Sequence, residues 1–274
     1  MNKVIYFLFT LLLSVSYAKG QTHEELFEKA LDYIESKDYE NAESSLKQAL
    51  KQEPANPTNS LLFMNLGTVQ RNLGKYDEAL VSYSAAMDKF PNKNKLLHSR
   101  AALLCEMGLY DDALADYGTI LESDAIDKEA LYSRALIYMA NNDLEKAQND
   151  FDKILMLSIN NWQALEGKAI ILKRQGKWSE AEELLTDAVF NNKSRGNLYA
   201  HRAECHVALG QLGRAQEDLQ KATELKYEEP FLYIVWGKLR LQQYDKRAAK
   251  ESFMKAKELG ANEKMIEELL IYCK

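Results

Sequence analysis

The sequence predicts an all-α chain, a solenoid of seven helix-turn-helix repeats closed by a capping helix. Three observations predict it. One alanine recurs at Ala42, Ala79, Ala113, Ala147, Ala181, Ala215 and Ala249, at intervals of 34 residues after a first interval of 37. Counting that alanine as position twenty, position eight holds the smallest residues throughout: Ala30, Gly67, Ala101, Ala135, Ala169, Ala203 and Gly237. Turn signals built on Gly74, Gly108, Gly176 and Gly210 stand between the two positions. A fixed period of this length marks an array in which each unit buries its apolar face on its neighbours.

Each repeat justifies two amphipathic helices, because positions four and eight lie one turn apart, as do twenty, twenty-four and twenty-seven. In the first repeat (23–56) these are Leu26 and Ala30, then Ala42, Leu46 and Ala49. Three extra residues near Pro57-Thr58-Asn59 precede the second (60–93), with Phe63, Gly67, Ala79, Tyr83 and Ala86. The third (94–127) has Leu97, Ala101, Ala113, Tyr117 and Ile120, and the fourth (128–161) Leu131, Ala135, Ala147, Phe151 and Ile154. The fifth (162–195) has Leu165, Ala169, Ala181, Leu185 and Ala188, and the sixth (196–229) Tyr199, Ala203, Ala215, Leu219 and Ala222. The seventh (230–261) has Tyr233, Gly237, Ala249, Phe253 and Ala256. Small residues at eight and twenty let the two helices of a pair close to 8–10 Å, while the large residues fill the flanks. A final segment (262–273), capped by Asn262, carries Met265, Ile266, Leu269, Leu270 and Cys273 in one stripe and covers the last repeat.

The first twenty residues differ from all this. Met1-Asn2-Lys3 is a basic start, Val4 to Val15 is a short apolar run, and small residues follow that permit cleavage before Lys19 or Gln21. The layout is that of a secretory signal peptide (1–20) ahead of a repeat domain (21–274). The apolar run is well short of the ~20 residues that span a bilayer. A periplasmic or secreted, cell-envelope-associated protein is expected, without membrane insertion after cleavage.

The 35 Lys and Arg against 41 Asp and Glu leave a net charge of −6, which argues against a nucleic-acid partner that displaces phosphate counterions. Cys105, Cys205 and Cys273 are too few and too scattered for a disulfide framework. The chain has no Gly-x-Ser-x-Gly, His-Glu-x-x-His or paired Cys-x-x-Cys motif, and its Gly-Lys pairs lack the remainder of a phosphate loop. His201 and Cys205, four apart, with His206 beside them, make the nearest approach to a metal site, but a zinc ion usually takes four ligands. No enzyme activity, cofactor or metal is expected.

Repeat two, with Phe63, Leu66-Gly67, Gly74, Tyr76, Ala79, Tyr83, Ala86 and Pro91, resembles the tetratricopeptide repeat family, and the likeness extends from 23 to about 261 in what looks like an exported bacterial type. Repeat seven departs by lacking the turn glycine and placing Tyr244 there, and only repeats one and two keep a closing proline, Pro54 and Pro91. The resemblance implies a right-handed superhelix whose first helices line a concave groove through positions two, five, nine, twelve and thirteen. On that register the floor is His98, Cys105, Tyr132, Leu136, Met139 and Ile170, flanked by Arg71 and Lys95 at one end and Lys173 and Arg174 at the other. The family's carboxylate clamp is not implied, because Phe27 and Leu31 stand where its first Lys and Asn belong. The chain reads as a scaffold or adaptor that binds a peptide or helix of a protein partner, the alternative being a structural, self-associating component of an envelope assembly.

Position seven is Arg100, Arg134 and Arg202 in the same three repeats where position twenty-three is Asp116, Asp150 and Asp218. Joint presence suggests bidentate ion pairs between the two helices of a repeat.

Overall fold

The computed structural model describes residues 21–87 and 93–274, so the expected signal peptide and Pro91 lie outside the described residues. Among these residues the chain forms fifteen α-helices and no strand. The helices are α1 (His23–Glu35), α2 (Tyr39–Gln52), α3 (Asn59–Asn72), α4 (Tyr76–Met87), α5 (Lys93–Glu106), α6 (Tyr110–Ser123) and α7 (Lys128–Ala140). They continue as α8 (Leu144–Leu157), α9 (Trp162–Arg174), α10 (Trp178–Asn191), α11 (Gly196–Ala208), α12 (Leu212–Glu224), α13 (Pro230–Gln242), α14 (Lys246–Glu258) and α15 (Glu263–Ile271). In chain order these follow the seven repeats and a terminal helix, each odd-numbered helix to α13 being the first of its repeat.

Local chemistry sets the ends. Thr22 and Glu25 form a reciprocal capping box on α1, and Asp38, Asp127, Asn161, Asp245 and Asn262 each accept from the backbone N–H three residues on. These caps occupy backbone donors that a helix start otherwise leaves unpaired. Between the helices of a pair the chain passes through one left-handed residue at position fifteen. Glycine supplies it at Gly74, Gly108, Gly176 and Gly210, with φ between 72° and 75°. Lys37, Asn142 and Tyr244 take the same place with φ of 61–63°. Repeat seven therefore keeps the turn without the glycine. The neighbouring helices impose the conformation on a residue type that rarely adopts it.

The chain divides between Met107 and Gly108 into two compact units. In the first, α1–α2 and α3–α4 pair, α2 packs on α3, and α5 packs on α3 and α4. Its core holds Leu26, Leu46, Leu62 and Tyr83. A buried ionic group reinforces it: Glu43 accepts from Lys47 and Lys75, both at 2.6 Å. Burial works against its ionisation, yet hydrogen bonds from Lys47, Lys75 and Gln70 hold the carboxyl down at about 2.

In the second unit α7–α8, α9–α10, α11–α12 and α13–α14 pair, each second helix also lies on the next first helix, and α15 closes on α14. The first helices α7, α9, α11 and α13 touch in succession and make one continuous layer. Bulky rings at position twenty-four are matched by glycines. Phe253 packs on Gly237 within its repeat, while Phe151 reaches Gly167 of the following repeat. Tyr83 and Gly67 make the equivalent pair in the first unit. At each glycine an added Cβ would lie well inside van der Waals contact of a ring that is fully buried.

Candidate functional site

The layer of first helices in the second unit carries the site. Its α7–α9 part is apolar. Leu136 is 43% exposed, and Tyr132 and Ile170 are half-buried beside it. The Tyr132 ring tilts against the Phe151 ring at 6.1 Å between centroids. Burial raises the Tyr132 phenol above its ordinary value, and the nearby Glu166 carboxylate adds to the shift.

Met139 is a correction. The register places it on the groove floor, but it is 7% exposed and packs in a core with Leu131, Phe151 and Ile171. Position twelve faces the next repeat in this unit, as buried Lys173 and Val207 also show. The expected cationic flank is corrected for the same reason. Lys173 donates to Glu204 at 2.9 Å and to His201 Nδ1 at 2.7 Å, with its side chain 7% exposed. Arg174 lies at the surface but donates from a guanidinium nitrogen to the Met139 carbonyl oxygen at 2.8 Å. Both are held between repeats and are not free ends of a binding floor.

The other predicted residues belong to the first unit. Arg71 donates twice to Glu106, so its charge is compensated within that unit. Lys95 is exposed on α5, and His98 and Cys105 are half-buried on the same helix.

In place of isolated cations the α9–α11–α13 stretch carries an alternating row that the register reading missed. His201 Nε2 lies 3.2 Å from Glu166, which also accepts from Asn197 at 2.7 Å. Burial lowers the His201 pKa, so the ring is neutral, with its proton on Nε2 toward Glu166 and its Nδ1 accepting from Lys173. The Phe231 ring lies tilted against it, with 4.4 Å between centroids. Glu204 accepts from Lys173 and, at 2.6 Å, from Lys238. Burial opposes ionisation of Glu204, but the two lysines hold it at about 2. The signal was available: Asn197, Glu166, Glu204 and Lys238 fill positions two, five, nine and nine of repeats five to seven.

A pH dependence follows from Glu204. A carboxyl whose folded value of about 2 lies below the ordinary 4.5 stabilises the fold above pH 4.5 and loses that contribution as pH falls toward 2. Urea unfolding of Glu204→Gln followed from pH 7 to pH 2 is expected to start from a lower midpoint and to fall less steeply on the acid side. Parallel curves for variant and wild type would show that the row does not stabilise the fold.

The Arg–Asp pairs sit on the other side of the same helices. Arg134 grips Asp150 with two bonds of 2.8 Å, and Arg202 grips Asp218 with bonds of 2.8 and 2.7 Å. Asp150 and Asp218 are buried, at 1% and 6% exposure, which fits a structural role within each helix pair. Asp116 is buried on α6 and Arg100 half-buried on α5. Cys205 is fully buried, and burial pushes its thiol up to about 12, so it stays protonated. His206 is buried on the Arg202–Asp218 side, hydrogen-bonded to Gln211. Among the described residues no group of three His, Cys, Asp or Glu side chains is placed to hold a metal ion. None of the described helices is long and apolar enough to cross a membrane.

Comparison with known proteins agrees with this architecture. A crystal structure of a tetratricopeptide repeat protein from Parabacteroides merdae is similar over 93% of this chain and 99% of its own, at 38% identity and a TM-score of 0.78. The C-terminal part of a repeat-containing protein from Cytophaga hutchinsonii matches over 89% of this chain and 99% of its own, at 14% identity and a TM-score of 0.64. PilF from Pseudomonas aeruginosa matches over 77% and 96%, at 14% identity and a TM-score of 0.62. The last two likenesses show the fold alone. No curated protein matches the chain. The tetratricopeptide repeat model matches residues 27–94, 99–155 and 167–229. With more than half of its length so matched, and a solved relative of 38% identity along nearly all of it, the chain belongs to the tetratricopeptide repeat family.

Proposed function

We propose that the protein is an exported, non-enzymatic scaffold that holds a peptide or helix of a protein partner on the first-helix layer of its second unit. The observation that carries this reading is the pairing, on one continuous layer, of exposed Leu136 and half-buried Tyr132 and Ile170 with the charged row that begins at Glu166. Extended surfaces of stacked helices are what repeat proteins use for binding, and an apolar strip beside fixed charges sets both affinity and orientation. Export is supported by the basic start and the apolar Val4–Val15 run. Protein taken from its native host is expected to begin at Lys19 or Gln21 by mass spectrometry, and a full-length, membrane-confined species would contradict export.

The functional test is Leu136→Glu. Because Leu136 is 43% exposed, its replacement is expected to change stability by no more than about 0.5 kcal/mol. Co-purification of a native envelope partner should be lost, since a few central anchors carry most of the binding energy. Undiminished capture by a folded variant would move the site off this layer. Met156, Ile159 and Phe190, exposed at 86%, 77% and 72% near the ends of α8 and α10, favour self-association as the rival reading. Light scattering separates the two: the scaffold is a monomer without its partner, whereas a structural role through those side chains gives a stable oligomer.

A further inference from the structure

At the C-terminal end of the first-helix layer a cavity of about 370 Å³ opens between α11, α13 and α15, with the start of α10 at its edge. Its apolar wall is made by Trp178, Val207, Leu241, Leu269 and Tyr272, and Lys238 lines it with Glu204. The volume lies at the low end for a ligand pocket, enough to take one large side chain.

Charge gives the cavity a direction. The row along α9, α11 and α13 runs Glu166 negative, His201 neutral, Lys173 positive, Glu204 negative and Lys238 positive. Its inner members are desolvated: the Lys173, Glu204, His201 and Glu166 side chains are 7–15% exposed. Lys238 is the outermost member, 37% exposed, and shares its single carboxylate with Lys173. The row therefore ends at the cavity in an accessible ammonium group, with the spare donor capacity that lysine's three N–H groups provide.

The rim supplies a second observation. Tyr272 is 68% and Ile271 59% exposed at the end of α15, and Met265 on its first turn is 38% exposed. Ile266 alone on this helix is buried, with Leu269 and Leu270 half-buried behind it. A helix that does no more than close an array carries a polar outer face. This one ends in an aromatic at the mouth of a pocket.

We propose that this cavity seats a large apolar side chain of the partner segment, with a neighbouring Asp or Glu carboxylate received by Lys238, and that α15 is a wall of the binding site as well as a cap. The proposal rests on the functional reading above and names the partner chemistry at one end of the same layer. An acidic–apolar segment complements the cavity on both counts: apolar surface leaves water, and its carboxylate meets the one ammonium group at the mouth.

The test titrates the full chain into a fluorescein-labelled peptide with blocked ends, Gly-Ser-Glu-Leu-Phe-Glu-Ser-Gly, and follows anisotropy. Saturable binding is expected, weakened about tenfold or more when both Glu are replaced by Gln. Lys238→Met keeps the side-chain stem and leaves Glu204 paired with Lys173, so the fold is retained. Against that variant the Glu and Gln peptides should bind equally. Leu241→Asp should abolish binding, and Tyr272→Ala, at an exposed position, should weaken it without loss of helicity. Leu136→Glu tells the two claims apart. If it blocks the probe while the Lys238, Leu241 and Tyr272 variants bind normally, the layer is the site and the cavity assignment is overturned. Absence of any probe binding, or equal binding of the Glu and Gln peptides to the wild type, also overturns it. A dimer that Leu241→Asp dissociates would assign the cavity to a second copy and overturn the peptide proposal.

Discussion

Phe151→Ala is expected to destabilise the second unit by about 3–5 kcal/mol, and Gly167→Ala alone to destabilise it by a smaller amount, yet the two together should cost less than their sum. Phe151 is fully buried, and its ring lies against the backbone of α9 at Gly167. Removing the ring loses its transfer energy and leaves a cavity between α8 and α9. Adding a methyl group at Gly167 with the ring in place overpacks a rigid contact, at about 1–3 kcal/mol. Against that stands the gain of up to ~1 kcal/mol for Ala over Gly inside a helix. Once the ring is gone the methyl enters the vacated space and that gain is realised, so Gly167→Ala should change sign. Urea midpoints and hydrogen exchange across α7–α9 measure this locally, which matters because repeat arrays do not always unfold as one body. Additive losses would mean that ring and backbone are not coupled.

The second large effect concerns Arg134 and Asp150. Arg134→Ala is expected to cost about 3–5 kcal/mol, because Asp150 stays behind as a buried, uncompensated charge. Asp150 is 1% exposed and accepts two bonds of 2.8 Å from the guanidinium. Arg134→Ala strands it directly. Asp150→Ala leaves the guanidinium, 18% exposed, with a route to water and should cost less. Replacing both by well-packed apolar residues such as Met and Leu should recover most of the loss, since the intact pair carries a desolvation penalty of its own. The coupling in a double-mutant cycle is expected at about 0.5–3 kcal/mol. Near-zero coupling would place the two side chains out of contact. Lysine should not rescue Arg134, because a single ammonium group cannot reproduce the two-point grip.

Both predictions start from features that differ in how far the sequence reveals them. The Arg134–Asp150 and Arg202–Asp218 contacts are legible from repeat register, because residues 16 apart are joined across one turn of fixed length and face each other in repeats four and six. Ala147 and Ala135 are legible in the same way: a small residue that returns every 34 positions marks a helix-pair contact. The Phe151–Gly167 contact is different. Gly167 is at position six, where no other repeat calls attention to it, and its partner belongs to the preceding repeat.

The amino-acid sequence by itself determined the architecture, since turn placement, helix faces and the pairing of helices within a repeat all depend on residues fewer than about 30 apart, within one supersecondary unit. The tertiary structure decided the site. Met139 and Lys173 share position twelve with an expected groove floor, but they are buried because the next first helix covers that position in the second unit. Lys173 meets His201 and Glu204 across 28 and 31 residues, and Lys238 meets Glu204 across 34. Such contacts join different repeats: register puts Glu166, Glu204 and Lys238 at first-helix positions five and nine, but which of them meet depends on how one repeat stacks on the next. The cavity beside α15 is a case of the same kind. It forms because α15 brings Leu269 and Tyr272 beside Val207, Lys238 and Leu241 of the preceding first helices.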